Sequence, residues 1–152
     1  MKPHVLETKT IIKRPLNEVF SFFSKAENLN ELTPPELHFK ILTPSPIAMN
    51  KGIYIDYRIK LNGIPFTWKT LISAWEPPHR FVDEQIKGPY VRWHHTHSFR
   101  SVDENTTEMI DRVEYLSPGW LLEPLIHHLF VRKKVEAIFA YREQKLLAIF
   151  PH

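Results

Sequence analysis

No cysteine occurs in the 152 residues. Disulfides and thiolate-held metals are therefore excluded, and a reducing cytoplasm suits the chain. Glycine is scarce, at four residues. No nucleophile elbow, Walker loop or dinucleotide fingerprint is present, so hydrolase, kinase and oxidoreductase readings lack support. Long hydrophobic runs are missing too. No stretch approaches the ~20 apolar residues of a membrane span, and Met1–Thr8 lacks the apolar region of a signal peptide. Charge of one sign is not concentrated: 20 basic residues are interleaved with 17 acidic ones, for a net charge of +3. The densest basic run, Arg132–Lys134, reads as a solvated helix face. The expectation is a cytoplasmic protein with no membrane span and no nucleic-acid partner.

What is present is ordinary globular composition with an aromatic excess. Apolar residues make up 43% and charged residues 24%, which argues against disorder. The aromatic share is 12%, including ten Phe and four Trp. A chain of this length buries a sizeable core as one domain, spanning 1–152.

Periodicity sets out the elements. Val5–Lys13 alternates as a first strand. Pro15 opens a helix at a tolerated position, and Leu16, Val19, Phe20, Phe22, Phe23 and Leu29 give it an apolar stripe with a break near 26–28. Thr33-Pro34-Pro35 stops it, and a short strand follows at Leu37–Leu42. Asn62-Gly63 is a two-residue type I′ turn signal. It pairs Leu61 with Ile64, Ile59 with Phe66, Tyr57 with Trp68, Ile55 with Thr70 and Ile53 with Ile72, all on one apolar face. Arg80–Ile86 is a strand, and Gly88-Pro89 turns it into Tyr90–Phe99. A three-residue loop, Asp103–Asn105, then pairs Val102 with Thr106 and hence Phe99 with Met109, His97 with Asp111, His95 with Val113 and Trp93 with Tyr115. From Gly119 to Phe150, Leu122, Leu125, Ile126, Leu129, Phe130, Val135, Ile138, Phe139, Leu146 and Ile149 recur at helical spacing, giving one long terminal helix bent or broken near 116–124.

The order is strand, helix pair, six-strand meander, long helix. It predicts an α+β fold in which a curved antiparallel sheet wraps around the C-terminal helix, with two short helices after the first strand. Such a sheet leaves space for a small molecule between itself and the helix. The segments Pro15–Phe23, Trp75–Gln85, Gly88–Phe99 and Asp111–Tyr115 resemble the START-like, or SRPBCC, helix-grip superfamily across essentially the whole chain. That superfamily includes polyketide cyclase/dehydratase-like and coenzyme Q-binding-like members. The segments are similar to a bacterial subgroup found alone or ahead of a nucleotide-sugar epimerase-like domain. The resemblance implies a hydrophobic or amphipathic ligand such as a lipid, quinone or polyketide, and an epimerase-like protein as a possible partner. It fixes no activity.

The histidine strand is the most informative stretch. Its inward face carries His95 and His97 between Trp93 and Phe99, which is a cavity wall rather than an aliphatic core. Tyr57, Trp68, Trp93, His95 and Tyr115 are the expected ligand-binding residues. His97 and Asp111 form an inward pair in which the carboxylate orients the ring and leaves the other nitrogen to act as base in a cyclase- or dehydratase-type reaction. A buried pair that satisfies itself is the plainer expectation. Either Asp83 or Glu84 faces inward, depending on the Gly88-Pro89 turn, and Arg142 either reaches the pocket or faces solvent. His95 and His97, about 6.5–7 Å apart along the strand, could join Asp111 around a metal. No metal-binding motif supports that, so no metal and no cofactor are expected.

Overall fold

The computed structural model describes residues 2–152; Met1, part of the N-terminal reading above and of the expected domain, lies outside the described residues. The chain runs through β1 (His4–Ile12), α1 (Leu16–Phe23), two 3₁₀ turns (Ala26–Leu32 and Pro35–Leu37), β2 (Lys40–Ile41), β3 (Tyr54–Leu61) and β4 (Ile64–Glu76). It continues through β5 (Arg80–Lys87), β6 (Arg92–Asp103) and β7 (Thr106–Leu116). A 3₁₀ turn (Trp120–Leu122), a helical turn α2 (Glu123–Ile126), a π-turn (His127–Val131) and α3 (Arg132–Ile149) complete it. The seven strands form one antiparallel sheet in the order β1-β7-β6-β5-β4-β3-β2, with α3 across one face. This is the helix-grip fold.

The hairpin registers follow the side-chain pattern. Tyr57 pairs with Trp68 and Ile55 with Thr70, as the Asn62-Gly63 turn requires; both turn residues have positive φ. In the β6–β7 hairpin Trp93 pairs with Tyr115, His95 with Val113, His97 with Asp111 and Phe99 with Met109. The loop itself differs from expectation. Asp103, not Val102, pairs with Thr106, and a bulge between Ser101 and Asp103 restores the register.

Two packing clusters hold the sheet to the helices. Ile12, Val19, Phe20, Phe23, Phe99, Met109 and Leu146 belong to one, and Val113, Tyr115, Val135 and Phe139 form the other. On α3 the buried positions are Val135, Phe139, Arg142 and Leu146. Their spacing of four, three and four draws a single stripe along the helix. One member of that stripe is a charge.

The terminal helix departs from the expected pattern at its start. Leu122, Leu125, Leu129 and Phe130 read as core by spacing, yet all are exposed. The inward positions of this stretch belong to Glu123 and His127, which are buried. Hydrogen bonding to the sheet, not apolar packing, decides which side faces in.

Candidate functional site

β5, β6, β7 and α3 each aim a polar side chain at the same buried spot. Asp83 of β5 lies opposite His95 of β6, and His97 of β6 lies opposite Asp111 of β7. Arg142 reaches in from α3. Phe81 and Asp83 face inward. The loop from Gly88 is clasped by Gln85, whose side chain donates to Tyr90 O at 2.6 Å and accepts from Tyr90 N at 3.0 Å.

The contacts are short and shared. His95 donates from Nε2 to Asp111 Oδ1 at 2.7 Å, and His97 donates from Nε2 to Asp83 Oδ2 at 2.6 Å. His97 Nδ1 lies 3.2 Å from Asp111 Oδ1, and Arg142 Nη2 lies 3.4 Å from that same oxygen. Asp111 Oδ1 therefore sits among three donors. The two imidazoles are stacked with centroids 3.7 Å apart, so they take one proton between them rather than one each.

Environment decides where that proton resides. Burial holds the His95 imidazole down to about 4, and the neighbouring His97 pushes it the same way. His97 is buried too, but its hydrogen bonds to Asp111 and Asp83 outweigh desolvation and raise its pKa. Burial opposes ionisation of Asp111, and Arg142 with the two histidines overrides it, holding the carboxyl well below its ordinary range. Asp83 is lowered against desolvation in the same way by the histidines and Arg142. With the shared proton on His97, two carboxylates face one guanidinium and one imidazolium, and the charges cancel. Arg142 Nη2 is also 3.3 Å from His97 Nδ1. With Nδ1 protonated, the carboxylate between them is what this ring nitrogen bonds.

Beside the network lies a cavity of about 170 Å³, slightly more than the roughly 150 Å³ that holds a benzene in an engineered core. Its walls come from the sheet, the 3₁₀ turns and α3. Of the residues expected to line it, Tyr57, Trp68, Trp93, His95 and His97 do. Asp83, Arg142, Tyr90 and Phe39 join them. Trp68 packs edge-on against Trp93 at 5.4 Å, and the Tyr57 hydroxyl is bonded to Thr70 at 2.9 Å. Burial, with Asp83 nearby, raises the Tyr57 pKa and keeps it a neutral phenol.

Two expected site residues lie elsewhere. Asp111 sits behind the histidines, outside the cavity lining. Tyr115 is turned toward the segment after β7, where its hydroxyl donates to His127 Nε2 at 2.7 Å. There Glu123 accepts from His4 Nε2 and from the Ser117 backbone N–H, both at 2.8 Å, and His4 stacks on His127 at 3.4 Å.

A metal would find different partners from those the strand spacing suggests. Asp83, not Asp111, completes the set with His95 and His97, each offering one ligand atom within 4.8 Å of the others. A divalent ion there must displace the His97 proton. It would leave a surplus positive charge beside buried Arg142, so charge balance favours the proton.

Trp68 Nε1 and Arg142 Nε have no hydrogen-bond partner among the described residues, although both are buried. Buried donors are nearly always paired. Both belong to side chains that line the cavity.

Comparison with known proteins agrees with the fold. The chain is similar in structure to a START superfamily protein from Mycobacterium smegmatis, with a TM-score of 0.70 and 11% identity over 96% of this chain and 99% of that one. It is similar to the Zhui aromatase/cyclase from Streptomyces sp. R1128, with a TM-score of 0.73 and 14% identity over 96% and 92%. A norcoclaurine synthase from Thalictrum flavum gives 0.66 and 13% over 96% and 95%. No curated protein matches the chain in sequence. The family model described as polyketide cyclase / dehydrase and lipid transport matches residues 12–138, and the chain belongs to that family.

Proposed function

We propose that the protein binds a hydrophobic small molecule bearing an acceptor oxygen, such as a quinone, a polyketide-like ketone or a lipid carbonyl. The observation that carries this reading is the pair of unpartnered buried donors, Trp68 Nε1–H and Arg142 Nε–H, on side chains lining a mostly apolar cavity. A carbonyl oxygen satisfies such a donor, and a hydrocarbon does not. Tyr57, Trp93 and Trp68 supply flat apolar contact for a ring. The cytoplasm is the proposed setting, and an epimerase-like enzyme fits as the protein that would receive or supply the ligand.

A matched pair of ligands tests it. 1-Tetralone and tetralin share a ring system and differ by the ketone. Calorimetric titration is expected to give about tenfold tighter binding for the ketone, the equivalent of roughly 1.4 kcal/mol and within reach of one to two hydrogen bonds. Equal affinities, or no binding of either, would overturn the reading.

A second reading is enzymatic, a cyclase- or dehydratase-type reaction using His97 with Asp111. One observation favours it: the His97 imidazole is held between two carboxylates beside the cavity. In this reading His97 is an acid rather than the general base. Both ring nitrogens already face carboxylates, so a ligand carbonyl must take the place of the cavity-side Asp83 at Nε2 before His97 can donate to it, and no free nitrogen is left to abstract a proton. Asp111 then acts as a positioning residue.

A further inference from the structure

Six large apolar side chains crowd the eleven residues from Trp120 to Phe130, within the segment that joins the sheet to α3. Trp120, Leu121, Leu122, Leu125, Leu129 and Phe130 are between 56% and 79% exposed. Scattered exposed leucines are normal, but a continuous run of this kind marks a contact surface. The exposure is built into the fold. Gly119 and Trp120 both have positive φ, at 123° and 51°, which turns Trp120 outward. A side chain at Gly119 would meet Ile126 at 2.3 Å. Glu123 and His127 then anchor the inner side to His4, Ser117 and Tyr115. The usual polarity of a surface helix is inverted: polar groups in, leucines out.

We propose that this segment docks on an anionic lipid surface. Charge chooses among the possible occupants. The apolar run passes directly into Arg132, Lys133 and Lys134, and Lys134 donates to Asn62 at the tip of the β3–β4 hairpin. That hairpin adds exposed Lys60 and Ile64 to the same end of the molecule. Glu136, paired with Arg132 at 3.1 Å, is the acid in salt-bridge contact with this basic run among the described residues. Trp, Leu and Phe flanked by a basic run match an interface of acyl chains under anionic headgroups. A second copy of the chain would set the same basic run against itself. The placement also suits ligand exchange, because Leu61 of that hairpin and Ile138 of α3 line the cavity.

Co-sedimentation with vesicles of phosphatidylcholine and phosphatidylglycerol at three to one tests the proposal, using the protein without added ligand. This keeps it separate from the question of what the cavity binds. The wild type is expected to partition onto these vesicles at least tenfold more strongly than onto pure phosphatidylcholine. Leu125→Glu with Leu129→Glu should lose that binding, and Lys133→Glu should weaken it several-fold, with melting temperatures unchanged because all three side chains are exposed. Trp120→Leu should abolish the blue shift of emission that wild type shows on binding. Wild-type protein that stays in the supernatant with both vesicle types would overturn the proposal. So would binding that the glutamates leave intact, or a dimer in sedimentation velocity that dissociates in the Leu125→Glu/Leu129→Glu variant.

Discussion

The Nε2 of His97 lies 2.6 Å from Oδ2 of Asp83, across the β5–β6 pairing. With Asp111 at 3.2 Å from the other ring nitrogen, the imidazole is gripped on both sides. Neutral His95, stacked on it, donates to Asp111 and leaves its own Nδ1 3.8 Å from Asp83. A polar cluster of this kind in an apolar setting is costly unless every charge is matched. Here the match depends on a single proton.

Stability should therefore depend on pH in a bell. The raised His97 pKa contributes stability that is complete below the ordinary imidazole value near 6.5 and is lost as pH rises through the folded value. The His95 pKa is lowered to about 4, so the unfolded chain alone takes up that proton between about 6.5 and 4, and stability falls as pH falls through that window. Asp83, Asp111, Arg142 and Tyr57 face the pair from β5, β7, α3 and β3. The Asp111 contribution is complete above its ordinary value near 4 and is lost only as pH drops through its depressed one. Urea denaturation from pH 3 to 10 should peak near 6.5. His97→Gln should flatten the alkaline limb, and His95→Gln should reduce the slope between 6.5 and 4.

Asp111→Ala is expected to destabilise by about 3–5 kcal/mol, because it leaves Arg142 and the His97 imidazolium buried without their shared carboxylate. Asp83→Asn should cost less, on the order of 1–3 kcal/mol, since Asp83 borders the cavity and the amide still accepts a hydrogen bond. Chemical denaturation of both variants at pH 7 checks the order. Equal losses would mean that the cavity side of the network is as closed as its back.

Tyr115→Phe separates the two polar clusters. The lost bond to His127 should cost about 1 kcal/mol, with no change in ligand affinity, because Tyr115 lies outside the cavity lining. A matched fall in affinity would place Tyr115 back in the site.

How far the sequence could be read differs from element to element. The β3–β4 and β6–β7 registers were legible because turn chemistry and the period of two point the same way at Tyr57–Trp68 and His97–Asp111. The bulge near Val102 was not, since an extra residue in a hairpin leaves no mark on the alternation beyond it. Asp83 stayed ambiguous with Glu84 because proline left the Gly88-Pro89 turn undefined, and the Gln85 clasp on Tyr90 is a contact no local pattern encodes. The leucines at 122, 125 and 129 were misleading. Helical spacing says that they share a face, but not which way the face points; buried Glu123 and His127 decide that through partners on β1 and β7. A Glu and a His on the opposite face of an apolar stripe were the available signal.

Trp68→Phe keeps the ring and removes the orphaned donor. Stability should be unchanged or rise by up to about 1 kcal/mol, because a buried N–H without a partner is a cost in the free protein. Affinity for 1-tetralone should fall about three- to tenfold while affinity for tetralin stays level, read by calorimetry.

The indole N–H of Trp68 reports most directly on whether the cavity takes a carbonyl ligand. Among the four tryptophans, its ¹H–¹⁵N resonance is identified by its disappearance in Trp68→Phe. Saturation with 1-tetralone is expected to shift that resonance downfield as the N–H gains an acceptor, whereas tetralin should produce no such shift. A Trp68 indole signal that stays in place at saturating ketone would contradict the assignment of this cavity to a carbonyl-bearing ligand.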